Sequence, residues 1–248
     1  MSLVARFVSS IQRRGVGSTL AVAWGSSVLH LHEGVDRYFD LVNGTETSRV
    51  VEAVDLVATG VHKEHGFRYH ATRARPFLRL MHALGIPPGQ IFLDIGSGKG
   101  RVLLLALDFG FKKLVGVDYS AELCEIARQN LNVVRRRRGF TTPVEVHCCD
   151  AAEYEFHDDE TVIYLYNPFD AVVLAKVMER LCASLRRAPR KTWLIYLHPR
   201  WHSAIESTGM FTWADLHAFG KLEFAVFTHD PTGGSAGPGS AGTDPARR

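Results

Sequence analysis

FLDIGSGKGRVLLLA, residues 92–106, joins an apolar run to three glycines at alternate positions, Gly96, Gly98 and Gly100, and then to a second apolar run. A short apolar run bounded by glycines predicts a buried strand, and the run after Gly100 predicts a buried helix. The segment therefore reads strand, loop, helix. Glycines let the backbone turn sharply and approach a ligand closely, and the helix start behind them offers unpaired amides. In doubly wound folds ligands sit at the carboxyl ends of the strands, where this loop falls.

Outward from the loop, five apolar runs alternate with helical or turn segments: Ile91–Ile95, Leu114–Val117, Val144–Cys148, Thr161–Tyr166 and Thr192–Leu197. That alternation predicts a mainly parallel sheet covered on both faces. Met210–Leu216 and Leu222–Thr228 then lie close enough to pair antiparallel through a turn at Gly220. Upstream, the pattern from Asp36 to His65 is helical. A further helix runs from about Arg73 to Leu84, with Phe77, Leu80, Met81 and Leu84 on one face, and ends at Gly85 and Pro87-Pro88-Gly89.

The expected organisation is an N-terminal helical extension and lid over residues 1–72, a ligand-binding domain over 73–229, and a disordered tail over 230–248. The tail is dominated by Gly, Pro, Ser, Ala and Thr and cannot bury apolar area.

At 248 residues the chain suits one sizeable α/β domain, and 46% hydrophobic with 22% charged residues is ordinary for a soluble globular protein. A formal charge of +3 permits an acidic partner but is far from a dense cationic field. Cys124, Cys148, Cys149 and Cys182 form no CxxC pair, so reduced thiols and a cytoplasmic location are expected, with no metal site. His62, His65 and His70 lack both the HExxH pattern and carboxylates at ligand spacing.

Residues 1–32 carry Arg6, Arg13 and Arg14 but no acid, which leaves two readings open. One is a targeting segment. The other is a packed amphipathic helix with Val4, Phe7, Val8 and Ile11 on one face. The uncharged stretch Gly15–Leu29 is broken by Gly17, Ser18, Gly25, Ser26 and Ser27 and is too short to span a membrane.

Spacing separates the nucleotide readings of the glycine loop. A P-loop needs GxxxxGK followed by Ser or Thr, whereas Lys99 precedes Gly100 and position 93 is Leu. A dinucleotide fingerprint, GxGxxG, needs glycine where Arg101 stands. Asp118 ends the second run, where a carboxylate can accept both hydroxyls of a ribose, although it could equally cap the helix that begins near Ser120. Asp150 ends the third run, and YNPFD, residues 166–170, ends the fourth.

Asp94 followed by GxGxG resembles motif I of S-adenosylmethionine-dependent methyltransferases, in which the loop curls beneath the methionine moiety. Residues of about 36–228, with DIGSGKGR, GVDYS, QNL and YNPF, resemble a family of bacterial class I methyltransferases with mostly unassigned substrates. The resemblance implies a doubly wound α/β fold: a seven-stranded, mostly parallel sheet with an antiparallel last strand, plus N-terminal helices. It implies S-adenosylmethionine held by Asp94, Gly96, Ser97, Gly98, Gly100, Asp118, Tyr119, Asp150, Ala151 and Asn167. Tyr69 and Thr72, in RYHATRA, match a lid position, although a helix start at Thr72 explains the same residues. A weaker resemblance, confined to motifs I and II, is to histone lysine methyltransferases with a Rossmann-like fold.

YNPF also resembles the Asn-Pro-Pro-aromatic motif of methyltransferases acting on amino nitrogens, with one proline fewer. By that resemblance Asn167 orients the acceptor, Pro168 shapes the turn and Phe169 lines the pocket. A turn that merely terminates the strand accounts for the same residues. The acceptor is left open among protein, nucleic acid and small molecules. The run Arg135–Arg138 suits either a solvated helix end or a nucleic-acid contact. Two rival functions are an NAD-dependent oxidoreductase, disfavoured by the glycine spacing, and a non-catalytic cofactor-binding scaffold, disfavoured by the intact Asp94, Asp118, Asn167 and Phe169.

Overall fold

The protein is described as a computed structural model, which covers residues 34–51 and 69–232. A helix over 34–43 (α1) is followed by α2 (Ala74–Leu84), β1 (Ile91–Ile95), α3 (Arg101–Ala106) and β2 (Lys113–Asp118). Next come α4 (Ala121–Arg138), β3 (Val144–Cys148), β4 (Val162–Leu165), α5 (Ala171–Arg187) and β5 (Thr192–Leu197). A short α6 (Ser203–Glu206) leads to the hairpin β6 (Thr212–Phe219) and β7 (Leu222–His229). The seven strands form one sheet in the order β3-β2-β1-β4-β5-β7-β6.

Strands β1 to β5 are mutually parallel, and β7 inserts antiparallel between β5 and β6. This is the class I methyltransferase arrangement expected from the sequence. Because five strands share one direction, the loops after β1, β2, β3, β4 and β5 all emerge on one rim of the sheet. That rim positions the site.

Every residue of β1 and of β4 is buried, as their continuous apolar runs require. Alternate side chains feed two cores. Leu93, Ile95, Val117 and Leu165 pack toward α5, whose Val173, Val177 and Leu181 complete that layer. Phe92, Leu114, Val162 and Tyr164 pack on the other face with Phe77 and Leu80 of α2 and Leu103 of α3.

Local chemistry sets the ends of the two long helices. Ser120 caps α4, accepting from Leu123 N at 3.3 Å, and the left-handed Gly139 ends it. Asp170 caps α5, accepting from Val172 N at 2.9 Å and Val173 N at 3.2 Å. In β6 a register shift between Trp213 and Asp215 leaves a bulge at Ala214 on the outermost strand.

Two expectations need correction. The helical pattern from Asp36 does not persist, because α1 stops at 43 and Gly44 turns left-handed at φ 69°. Asp40 then collects Thr45 Oγ1, Thr47 N, Thr47 Oγ1 and Ser48 N, and a chain folded around that carboxylate cannot continue as helix. Nor does Thr72 begin α2: its N-cap is Arg73, with no side-chain cap bond. The readings of residues 1–32, of 52–65 with His62 and His65, and of the tail beyond 232 lie outside the described residues. Among the described residues no helix is long and apolar enough to cross a membrane.

Candidate active site

The glycine loop is pinned to the strand beside it. Gly96 N and Ser97 N both donate to Val117 O, at 2.8 and 3.0 Å, and Gly98 N donates to Asp118 Oδ2 at 2.8 Å. Gly96 and Gly98 have φ of 82° and 50°, where a side chain is strained, and neither has room for one. A Cβ on Gly96 would lie 2.5 Å from Pro168 Cβ, and one on Gly98 would lie 2.2 Å from Tyr69 Cε2. The loop is thus clasped between the β4 loop and Tyr69. Ser97 turns its hydroxyl inward toward Gly116, where it is buried without a hydrogen-bond partner among the described residues.

The three predicted acids stand where their strands end, and all are buried. Asp118 accepts from Gly98 N and, at 2.9 Å, from Ser120 N, so its carboxylate bridges the loops after β1 and β2. Burial pushes Asp118 up to about 6 despite those amides. Burial first, and then the Asp118 charge, hold Asp94 well above the usual carboxylate range. Asp150 accepts from Ala152 N at 2.9 Å, which closes the turn containing Ala151. Tyr119, half-buried, follows Asp118.

Two carboxyl groups crowded in a dry space favour a cationic or multiply donating ligand. An α-ammonium group and a ribose diol supply both, so the donor set fits S-adenosylmethionine. A cavity of about 270 Å³ opens beside the loop, lined by Glu46, Arg49, Val51, Lys99, Glu122 and Ile126.

At the end of β4, Asn167 adopts φ 38°, and its Oδ1 accepts from Tyr196 OH at 2.9 Å. Tyr196 belongs to the neighbouring strand β5, with Leu165 opposite it in the register. Phe169 is buried and belongs to the core cluster that includes Leu165, Val173 and Ile205. Thr72 is buried and bonds Tyr164 OH at 3.0 Å, which ties the start of α2 to β4.

Sequence reasoning missed His198, which follows β5 at φ 53° with its ring 5.7 Å from that of Tyr166. Burial lowers its pKa, Arg73 adds to the effect and Glu223 opposes it, so the ring is neutral near pH 7. It missed Trp201 too, whose Nε1 is buried with no hydrogen-bond partner among the described residues. No motif marks either residue.

Also missed was a strap over 45–51 laid on the loop. Lys99 pairs with Glu46, and Asn130 of α4 brackets that residue, accepting from Glu46 N at 2.9 Å and donating to Glu46 O at 3.2 Å. Arg101 is 1% exposed and reaches Asp36 and Thr47. Charged residues inside an apolar helix start carry that signal, because a buried cation needs a partner. Elsewhere, Arg135 lies over Phe140, Arg137 donates to Val42 O at 3.2 Å, and Arg138 pairs with Asp108, so three of the four consecutive arginines are held internally.

Residues 92–191 match the family model described as a methyltransferase domain. No curated protein matches the chain. Among solved structures, a SAM-dependent methyltransferase from Aquifex aeolicus is similar over 63% of this chain and 93% of its own, at 18% identity and TM-score 0.49. An RNA methyltransferase from Salinibacter ruber, in complex with S-adenosyl-L-homocysteine, is similar over 63% and 92%, at 21% identity and TM-score 0.46. Magnesium protoporphyrin IX methyltransferase from Synechocystis PCC 6803, with bound SAM, is similar over 63% and 77%, at 13% identity and TM-score 0.47.

Proposed function

We propose that the chain, whose residues 92–191 match a methyltransferase-domain family model, is an S-adenosylmethionine-dependent methyltransferase whose acceptor atom is an amino nitrogen presented to Asn167. The observation that carries this reading is the Asn167–Tyr196 pair. A left-handed turn aims the amide over the rim, and Tyr196 OH fixes which atom is the oxygen by donating to it at 2.9 Å. A carbonyl oxygen has two lone pairs, and the second suits an incoming N–H donor.

When bound, S-adenosylmethionine supplies an electrophilic methyl group on a cationic sulfur. We place it across Gly96, Gly98 and Gly100, with Asp94 toward its ammonium group, Asp118 toward the ribose, and Tyr119, Asp150 and Ala151 around the base. Tyr69 covers the loop, and Pro168, seated against Gly96, sets the distance between the two substrates. The residues of this chain mainly align and desolvate. Positioning of this kind supplies much of the rate when the nucleophile is neutral and needs no strong base. The four free thiols support a cytoplasmic location.

The test uses a labelled methyl donor with separated protein, RNA and small-molecule fractions of a cell extract. The expected product carries a base-stable N-methyl group. A base-labile methyl ester would overturn the nitrogen assignment.

A further inference from the structure

Arg101 is the largest fully buried side chain among the described residues, yet it opens an apolar helix directly behind the glycine loop. Its guanidinium spends its donors on residues far away in the sequence. Nε donates to Thr47 Oγ1 at 2.7 Å, one terminal nitrogen donates to Asp36 Oδ1 at 2.6 Å, and the other donates to Asp36 O at 3.2 Å. The same group lies 4.6 Å from the centre of the Phe39 ring and 3.8 Å from Asp40 Oδ1. Asp40 in turn accepts from Thr47 N and Thr47 Oγ1, so Thr47 is gripped from both sides.

The chain of contacts then returns to the loop. Thr47 O accepts from Tyr69 OH at 2.7 Å, and the Tyr69 ring lies where a Cβ of Gly98 would be. The circuit is closed: Arg101 to Thr47, Thr47 to Tyr69, Tyr69 to Gly98, three residues before Arg101. Gly98 N is also the amide that holds Asp118. Any slackening at Thr47 therefore frees the ring that presses on the loop.

We infer that Arg101 is a positioning residue for the cofactor, acting from beneath the loop through Thr47 and Tyr69 to fix the conformation of Gly98. The inference rests on the placement of S-adenosylmethionine at this loop. Geometry dictates the side chain: a planar fork reaches Thr47 and Asp36 together, whereas an ammonium group is a point charge that satisfies one of them.

The experiment measures affinity and dissociation rate for S-adenosylhomocysteine, with hydrogen exchange over 36–51, in the full chain and in Arg101→Lys, Thr47→Val and Gly98→Ala. All are assayed well below their melting temperatures. Arg101→Lys is expected to weaken binding at least tenfold, mainly through faster dissociation, and to raise exchange in the strap. Thr47→Val, which keeps the shape and removes one hydroxyl, is expected to shift both in the same direction by several-fold, with a lower melting temperature because Arg101 Nε and Asp40 Oδ1 each lose a partner. A purely structural role would lower melting temperature and leave the dissociation rate alone. If folded Arg101→Lys and Thr47→Val bind with the wild-type affinity and rate while Gly98→Ala does not, the inference fails and the site stands. If Gly98→Ala also binds as the wild type, the placement at the loop fails, and the inference with it.

Discussion

The two halves of the rim are built in opposite ways. Around β1, β2 and β3 the polar groups satisfy one another: Gly98 N and Ser120 N meet Asp118, Ala152 N meets Asp150, and the buried Arg101 has Asp36 and Thr47. Around β4 and β5 the chain holds Asn167 and His198 in the left-handed region and buries Trp201 Nε1 with no described partner. Backbone strain and unmet polar groups each cost about 1–3 kcal/mol and persist where something over-determines them. Apart from Ser97 Oγ, which has no partner among the described residues, the hydrogen bonding of the cofactor half is therefore largely complete before any ligand arrives. The acceptor half keeps part of its hydrogen bonding for the substrate.

The contact between Pro168 and Gly96 joins the halves, and breaking it should have the largest effect. Gly96→Val would put carbon 2.5 Å from Pro168 Cβ at φ 82°. We expect a loss of roughly 3 kcal/mol of stability from strain plus overpacking. Cofactor binding and methyl transfer should both fall about 100-fold, read by calorimetry and by label incorporation. Loss of binding alone would mean that the halves are independent.

The next effect belongs to the cofactor half. Asp118 has an ordinary carboxyl pKa when unfolded and one of about 6 when folded, so folding favours its protonated form. Its contribution is fully present below about pH 4 and is lost as pH rises through 6, a decline on the order of 2–3 kcal/mol. Asp94, also raised by burial and by the Asp118 charge, adds to the decline. Urea midpoints of the ligand-free protein from pH 4 to 8 should show this slope, and Asp118→Asn should flatten its lower part. An unchanged slope in that variant would remove Asp118 as its origin.

Smaller effects test the acceptor half. Asn167→Gly relieves the left-handed backbone and should leave stability unchanged or raise it by up to about 1 kcal/mol, while methyl transfer falls strongly. A variant that is more stable and less active would separate strain kept for function from simple packing. Tyr196→Phe removes the 2.9 Å bond to Asn167 together with the hydroxyl's backbone contact at Trp201. It should lower kcat about tenfold with cofactor affinity intact, and cost about 1 kcal/mol in melting experiments. Equal kcat would show that the amide needs no fixing.

Much of the sheet was legible because buried parallel strands are runs of apolar residues. Ile91–Ile95, Val144–Cys148 and Thr192–Leu197 match their strands, and the glycine spacing located the loop. The acids were legible by position, since each lies at or just past the carboxyl end of a strand. Asn167 was legible by motif, but its partner Tyr196, 29 residues away, was not.

The strap was not legible either. Arg101 meets Thr47 and Asp36 across 54 and 65 residues, and side-chain pairings over such distances leave no periodicity. Thr72 misled for a related reason: a threonine before a helix usually caps it, but here Tyr164 takes the hydroxyl. The helical pattern after Asp36 likewise gave way to the four bonds that Asp40 receives.

The bulge at Ala214 has a consequence of another kind. Strand β6 is eight residues long, lies at the margin of the sheet, and exposes Trp213 and Leu216. A flat margin of that length and character would recruit a second copy of itself, ladder to ladder. The extra residue bends the strand and breaks its repeat near its start, which works against an unbroken ladder between two copies. Ala214, an alanine remote from the chemistry, thereby acts as a guard against aggregation.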